Sequence, residues 1–375
     1  MTMRADRVGL YVHIPLCVRK CAYCDFCSYP IDSAAEWRDK YITALCSEIE
    51  SYAERGLAVD TVFFGGGTPS LLTPDEVRRI CSSIRASFDI SCLTEFTVEV
   101  NPGALSADTL EAYLACGANR ISIGLQSIHK NELKYLGRIH TYEDFLSTYL
   151  TLRAAGIDNI SVDLMYGIPL QTRDSFKETL REVIGLSPEH ISVYGLILEE
   201  GTPFYDKRSE LPIPDTDCEA DMYRLACDIL SEAGYSHYEI SNYAQPGRES
   251  RHNLKYWRTE EYIGVGVAAS SFLDGVRFGN PTDISDYLAG GPRAYTDDVS
   301  DITSTQEEFV VLRLRLAEGF SLEEYRRRFS EDFAERFHDT VRMLTDAGYA
   351  RISDGRFALT ERGFYVSNSI ICELT

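Results

Sequence analysis

Along the first two hundred residues, six short runs dense in β-branched and aromatic residues recur: VGLYVHI (8–14), TVFFGG (61–66), EFTVEV (95–100), RISIGLQ (120–126), NISVDLMYG (159–167) and HISVYGL (190–196). Several are apolar almost throughout, as strands buried on both faces of a parallel sheet are. Helical patterns fill the intervals. Trp37, Tyr41, Leu45, Ile49 and Tyr52 form an apolar stripe along residues 34–54. Thr73-Pro74-Asp75-Glu76 sets a capping residue, a proline at the first helical position and acids in the first turn. Ser106 opens a further helix, which stops near Gly117. Six strand–helix units in succession predict an α/β fold with a parallel (βα)6 sheet, either an open curved barrel or doubly wound. In both, ligands sit beyond the carboxyl ends of the strands.

After residue 200 the rhythm is lost. A helix is predicted at 217–233, followed by the aromatic segment HYEISNYA (237–244), then HNLKYW (252–257) and a glycine-rich stretch. Beyond residue 305, amphipathic helices (EEFVVLRLRL, SLEEYRRRF, ERFHDTVRMLTDAG) precede YARISDGRFALTERG, a hairpin turning at Asp354-Gly355. Helices followed by a hairpin suggest a small α+β, winged-helix-like unit. The expected division is a (βα)6 core at 1–205, an extension carrying HNLKYW at 206–298 and a small C-terminal domain at 299–375.

The composition narrows the function classes. With 44% hydrophobic residues the 375-residue chain can bury a substantial core. A formal net charge of −21 repels phosphate backbones and anionic lipid, so no nucleic-acid partner is expected. No apolar run approaches the roughly 20 residues of a membrane span, and the start, MTMRADRVGLYVHIP, lacks a signal-peptide pattern. A cytoplasmic chain is expected.

Four of the eleven cysteines crowd into residues 17–27. A tight cluster in such a chain reads as a metal site rather than a disulfide framework. The other seven read as small buried hydrophobes. Cys17, Cys21 and Cys24 follow the first strand with the spacing C-x3-C-x2-C. Three thiolates can hold three irons of a 4Fe–4S cubane and leave the fourth iron open. A zinc site completed by Cys27 is the alternative; Cys27 itself is either a fourth ligand or a bystander.

The cysteine spacing, with the aromatic Tyr23 just before the third cysteine, resembles that of the radical S-adenosylmethionine (AdoMet) superfamily. That resemblance implies a partial (βα)6 TIM-type barrel, an open iron chelated by the amino and carboxylate groups of AdoMet, and reductive cleavage of the sulfonium to a 5′-deoxyadenosyl radical. The later strand ends suit such a ligand. Gly65-Gly66-Gly67 after the second strand lets backbone groups approach closely, although a plain tight turn reads the same way. Glu99 ends the third strand, Gln126 the fourth, and Asp163 lies in the fifth; polar groups there are costly to bury unless something polar is bound. Arg138 is placed to pair a carboxylate.

YVHIPLCVRKCAYCDF, FFGGGTPSLL, EVNP, NRISIGLQS, LGRIH, DLMYGIP, YEISNYA and HNLKYW together resemble the oxygen-independent coproporphyrinogen III dehydrogenase group, in particular its haem-chaperone branch. The resemblance implies AdoMet contacts at Tyr11, Tyr23, Gly66, Gly67, Thr68, Glu99, Gln126, Arg138 and Asp163, with a backbone contact near Ile197. The chaperone branch carries an HNxxYW motif, here His252, Asn253, Tyr256 and Trp257. An imidazole beside two flat aromatic faces suits haem; an aromatic patch closing the barrel, with His252 merely hydrogen-bonded, is the other reading. The first strand begins near residue 8, leaving no room for the long N-terminal arm of the dehydrogenases, and Phe26 stands where they carry a fourth cysteine.

The expected function is therefore a haem chaperone that binds haem, a 4Fe–4S cluster and AdoMet, and delivers haem to apo-haemoprotein acceptors. An electron donor such as flavodoxin is an expected partner. The alternative is a coproporphyrinogen III oxidase that makes protoporphyrinogen IX.

Overall fold

A computed structural model of the chain describes residues 7–290, 294–295 and 306–375. Six strands, β1 (Val8–Ile14), β2 (Val59–Gly66), β3 (Glu95–Val100), β4 (Arg120–Gln126), β5 (Ile160–Tyr166) and β6 (His190–Gly195), run parallel and neighbour one another in chain order. The helices between them include α1 (Arg38–Glu50), α2 (Pro74–Ser87), α3 (Ala107–Cys116), α4 (Tyr142–Ala154) and α5 (Arg173–Gly185). Thr73 and Glu76 form a reciprocal capping box on α2, and Ser106 caps α3 before it ends at Gly117 in the left-handed conformation. Because α1 packs on α2 and α2 on α3, these helices share one face and the sheet curves into an open barrel. A doubly wound sheet would have split them between two faces.

The sheet does not stop at six strands. After α6 (Thr216–Glu232), the hairpin of β7 (Ser236–Glu239) and β8 (Asn242–Ala244) pairs antiparallel with β6. After α7 (Arg251–Trp257), β9 (Tyr262–Val265) joins β1 in parallel, and β10 (Ser270–Leu273), β11 (Val276–Gly279) and β12 (Ala294–Tyr295) continue that edge antiparallel. One open sheet of twelve strands results, with β12 and β7 as its outermost strands. Segment 206–298, which the sequence reads as an extension, thus contributes strands to the same sheet as the core.

The strands are buried on both faces, but only the outer face is apolar. Leu10, Val12, Ile14, Val62, Phe64, Phe96 and Val98 pack against the helices. The inward positions carry Tyr11, His13, Thr61, Glu95, Thr97, Glu99, Arg120 and Ser122 instead. These groups hydrogen-bond one another inside the barrel: His190, for example, joins Ser161 Oγ and Tyr238 Oη, both at 2.8 Å. Buried polar groups need such partners.

At the C-terminus, α8 (Gln306–Arg313), α9 (Leu322–Phe329) and α10 (His338–Asp346) accompany a three-stranded antiparallel sheet of β13 (Phe320–Ser321), β14 (Ala350–Ser353) and β15 (Arg356–Leu359). The β14–β15 hairpin turns at Asp354 and Gly355, with φ of 50° and 71°, as the sequence suggests. The unit is fastened to the barrel edge by Ile240 N–H donating to Arg315 O (2.9 Å) and Ala317 N–H to Tyr238 O (3.0 Å). The expected domain boundary at 298–299 lies outside the described residues. Among the described residues, no helix is long and apolar enough to cross a membrane.

Phe64 is fully buried between the rings of Phe96 (centroids 5.2 Å apart) and Tyr113 (5.7 Å). Phe64→Ala should lower stability by about 3–5 kcal/mol, read as a lower urea midpoint. Leu150→Ala, on the exposed side of α4, should change it by less than about 0.5 kcal/mol.

Candidate functional site

A cavity of about 380 Å³ opens at the carboxyl ends of the parallel strands, within the roughly 300–1,000 Å³ range of small-molecule sites. The segment after β1 brings Cys17, Cys21 and Cys24 to its wall, with Tyr23 beside them. Ala22 N–H donates to Leu136 O and Phe204 N–H to Ala22 O, both at 3.0 Å, so two distant segments hold the loop through its backbone. Burial pushes the Cys21 thiol up and the Cys24 thiol up to about 11; a metal binding there must displace their protons. Cys27 is not part of this wall. Its thiol donates to Thr282 O at 3.4 Å, and its own carbonyl accepts from His13 Nε2–H at 2.8 Å.

Next to the thiols lies the end of β2. The Gly66 backbone has φ 104°, and a Cβ there would meet the His13 ring at 2.4 Å. A Cβ on Gly67 would meet Leu16 O at 2.5 Å. The glycine run is therefore required by close packing on the cysteine segment as well as by access to the cavity. Thr68 Oγ donates to Cys17 Sγ at 3.6 Å and accepts from Asn101 Nδ2 at 2.7 Å.

Glu99, Gln126, Arg138 and Asp163 all line the same cavity, as do Gly66, Gly67, Thr68 and Ile197. Gln126 ends β4 at a register shift with φ 69°, a left-handed backbone that costs a non-glycine residue about 1 kcal/mol or more. Arg138 donates from one terminal nitrogen to Asn101 Oδ1 (2.7 Å) and from the other to Tyr23 Oη (2.9 Å). Its Nε–H is buried with no partner among the described residues. Asp163 accepts from Ser122 Oγ at 3.1 Å and Ser161 Oγ at 3.4 Å. Among the described residues Glu99 accepts only the Gly66 N–H, at 3.1 Å. Burial raises both carboxyls, and Asp163 nearby adds to the effect on Glu99, which reaches about 8.

Two of the expected groups lie elsewhere. Tyr11 sits beneath the cavity, stacked on Phe63 and donating to His13 Nδ1 at 3.0 Å. The HNLKYW residues form α7 at the opposite, amino end of the barrel, where Glu95, the first residue of β3, accepts the N–H groups of Arg251 and His252 at 2.8 and 3.0 Å. His252 has no exposed surface. Its Nδ1 is 2.9 Å from Thr61 Oγ and its Nε2 is 2.8 Å from Tyr256 Oη. Burial, then Lys255 and Arg120, hold its pKa down at about 3, so the ring is neutral. Tyr256 packs edge-on to Tyr262, and Arg315 lies over the Trp257 ring at 5.5 Å. Sequence reasoning missed Asn101, Ser122 and Tyr194, which also line the cavity. Asn101 stands in the quoted EVNP segment; nothing in the sequence marks it as the link between Thr68 and Arg138.

This arrangement fits an iron–sulfur cluster with an open iron. Three thiols line one cavity, the Cys27 thiol bonds Thr282 O instead, and among the described residues the buried Arg138 Nε–H has no partner while Glu99 and Asp163 line the same cavity. Cys17→Ala, Cys21→Ala and Cys24→Ala should each lose the cluster on anaerobic reconstitution. Cys27→Ala should keep roughly four irons per chain, as one cubane requires; iron analysis with visible absorption reads the difference.

Comparison with known proteins concerns the chain as a whole. The family model of the Radical SAM superfamily matches residues 11–183, and that of the HemN C-terminal domain matches residues 306–366. The Heme chaperone HemW of Lactococcus lactis is 35% identical over 364 residues, covering 96% of this chain and 95% of that protein. The Heme chaperone HemW of Escherichia coli is 34% identical, covering 97% of each. Among solved structures, coproporphyrinogen III oxidase (HemN) from Escherichia coli superposes with a TM-score of 0.84 at 22% identity, covering 99% of this chain and 91% of that one; this likeness concerns the fold. A shared barrel, a shared C-terminal domain and end-to-end identity above 30% place the chain in the HemW family of the Radical SAM superfamily.

Proposed function

We propose that this chain is a haem chaperone, one that binds haem and passes it to apo-haemoproteins, and that it carries a 4Fe–4S cluster and AdoMet in its barrel. The observation that carries this reading is the end-to-end similarity to proteins named Heme chaperone HemW, joined to the HNLKYW helix in this chain. Cys17, Cys21 and Cys24 hold the cluster. Gly66, Gly67 and Thr68 leave room for the methionyl end of AdoMet, and Arg138 receives its carboxylate on the free Nε–H. Glu99, Gln126 and Asp163 take its amino group and ribose hydroxyls, while Tyr11 supports the floor and Tyr23 the loop. When bound, the cluster supplies an electron to the sulfonium ligand. Cytoplasmic location and a small electron-donor protein such as flavodoxin complete the reading.

Haem is assigned to His252, Asn253, Tyr256 and Trp257. The imidazole is held by Thr61 and Tyr256, so an iron bound at Nε2 would take the place of the Tyr256 hydrogen bond. The neutral state of His252 suits this, because only an unprotonated nitrogen can bind iron.

Haem titration followed in the Soret band tests the assignment. Wild type should bind haem and should not convert coproporphyrinogen III. His252→Ala should shift the spectrum and weaken binding by tens- to hundreds-fold, about 2–3 kcal/mol. Tyr256→Phe keeps the aromatic face but frees His252 Nε2, and should bind haem faster than wild type in stopped-flow mixing. Turnover of coproporphyrinogen III by wild type would overturn the chaperone reading; unchanged binding in His252→Ala would move the haem ligand elsewhere.

A further inference from the structure

Two carboxyls on strands flanking β4 face one buried cavity, and neither has an ion-pair partner among the described residues. Glu99 lies opposite Ser122 in the β3–β4 ladder and Asp163 opposite Gly124 in the β4–β5 ladder. Two cations are near. Arg138 has both terminal nitrogens committed to Asn101 and Tyr23, and Arg120 points Nη1 at Thr97 Oγ, 3.5 Å away. The remaining titratable groups facing Glu99 are Tyr11 from β1, Tyr194 from β6 and Tyr256 from α7, each neutral and each pushed up by burial. Two like charges so placed do not both ionise readily in a low dielectric.

Hydrogen bonding decides which carboxyl takes the proton. Asp163 is surrounded by the hydroxyls of Ser122, Ser161 and Ser192, all able to donate to a carboxylate. Glu99 has the single Gly66 N–H. The better-solvated group stays ionised and its partner becomes the acid, as in other carboxyl pairs set apart by their surroundings.

We propose that Glu99 holds a proton in the ligand-free protein and releases it when AdoMet binds, so that AdoMet capture is linked to proton release from the cavity. The proposal rests on reading this cavity as the AdoMet site. AdoMet brings a fixed sulfonium cation and several donors, its ribose hydroxyls and amino group. All of these favour an ionised Glu99, which offers one more acceptor than the acid does. The proton passes from the Glu99 carboxyl to buffer; no electrons move. Arg120 and Arg138 both pull the Glu99 carboxyl down, but less than burial and Asp163 push it up, and their terminal nitrogens bond Thr97, Asn101 and Tyr23 rather than Glu99. A Glu99 carboxyl raised to about 8 by burial and Asp163 accords with this state at neutral pH. The sign follows: affinity for AdoMet falls as pH drops below that value and levels off above it.

Difference infrared spectroscopy on the cluster-loaded protein at pH 7 tests the proposal directly. Ligand-free wild type should show the carbonyl stretch of a protonated carboxylic acid, absent from Glu99→Gln before any ligand is added, and AdoMet should abolish it. Calorimetry in buffers of different ionisation enthalpy gives the count. The AdoMet amine can shed its own proton on iron, so the readout is the excess of wild type over Glu99→Gln, expected at about 0.5–1 proton at pH 7 and near zero above about pH 9.5. Wild-type affinity should rise up to about tenfold per pH unit below pH 7. Binding heat with an unchanged carbonyl band overturns the proton link and leaves the AdoMet site standing. Absence of any AdoMet binding overturns both.

Discussion

Arg138 joins the cysteine segment to the end of β3. One terminal nitrogen grips Asn101, just past β3, and the other grips Tyr23, between Cys21 and Cys24. Through Asn101 the contact runs on to Thr68 and Cys17. The cysteine segment is thus tied to the ends of β2 and β3 by a closed chain of hydrogen bonds around the cavity mouth. A guanidinium suits this place because its planar fork serves two partners at fixed angles. Its third nitrogen is left unpaired, buried and beside the cavity. Positioning of the cysteine segment rests on this one side chain, and the proposed recognition of an anionic group would fall to it as well.

The constraint behind that contact is the polar lining of the barrel. A barrel of this curvature turns every second side chain inward, and here the inward set is rich in carboxyl, hydroxyl, imidazole and guanidinium groups. Each must find a partner or a ligand. At the amino end the partners come from the protein: α7 closes the barrel, Glu95 accepts its first N–H groups, and His252 bonds Thr61 and Tyr256. At the carboxyl end Glu99 and Asp163 are left facing a cavity. The same polar interior therefore supplies a floor bonded in large part by the protein itself, with Trp257 Nε1 and Arg120 Nε as exceptions among the described residues, and two carboxyls facing the cavity above it. Phe63 and Tyr11, stacked between them, connect the HNLKYW helix to the cavity through the barrel's centre.

Much of this was legible in the sequence. The six parallel strands announced themselves by β-branched runs, and Glu99, Gln126 and Asp163 were conspicuous as polar residues at or near strand ends. Three features were not. β9 is only four residues long and contains a glycine, so its place beside β1 depends on tertiary pairing. The inward face of the strands is polar although the runs look apolar, because alternation is masked where Tyr, Thr and Ser stand among aliphatics. The surroundings of His252 and Cys27 are set by Thr61 and Thr282, 191 and 255 residues away in sequence, beyond the reach of any local pattern.

The central claim is that AdoMet occupies this cavity on the open iron of a cluster held by Cys17, Cys21 and Cys24. Pulsed electron–nuclear double resonance on the reduced, cluster-loaded protein with AdoMet labelled with 15N at its amino group tests it most directly. The account predicts a 15N hyperfine coupling to the cluster, lost in Arg138→Ala if that guanidinium seats the neighbouring carboxylate. A cluster spectrum that is the same with and without AdoMet, with no 15N coupling, would contradict it.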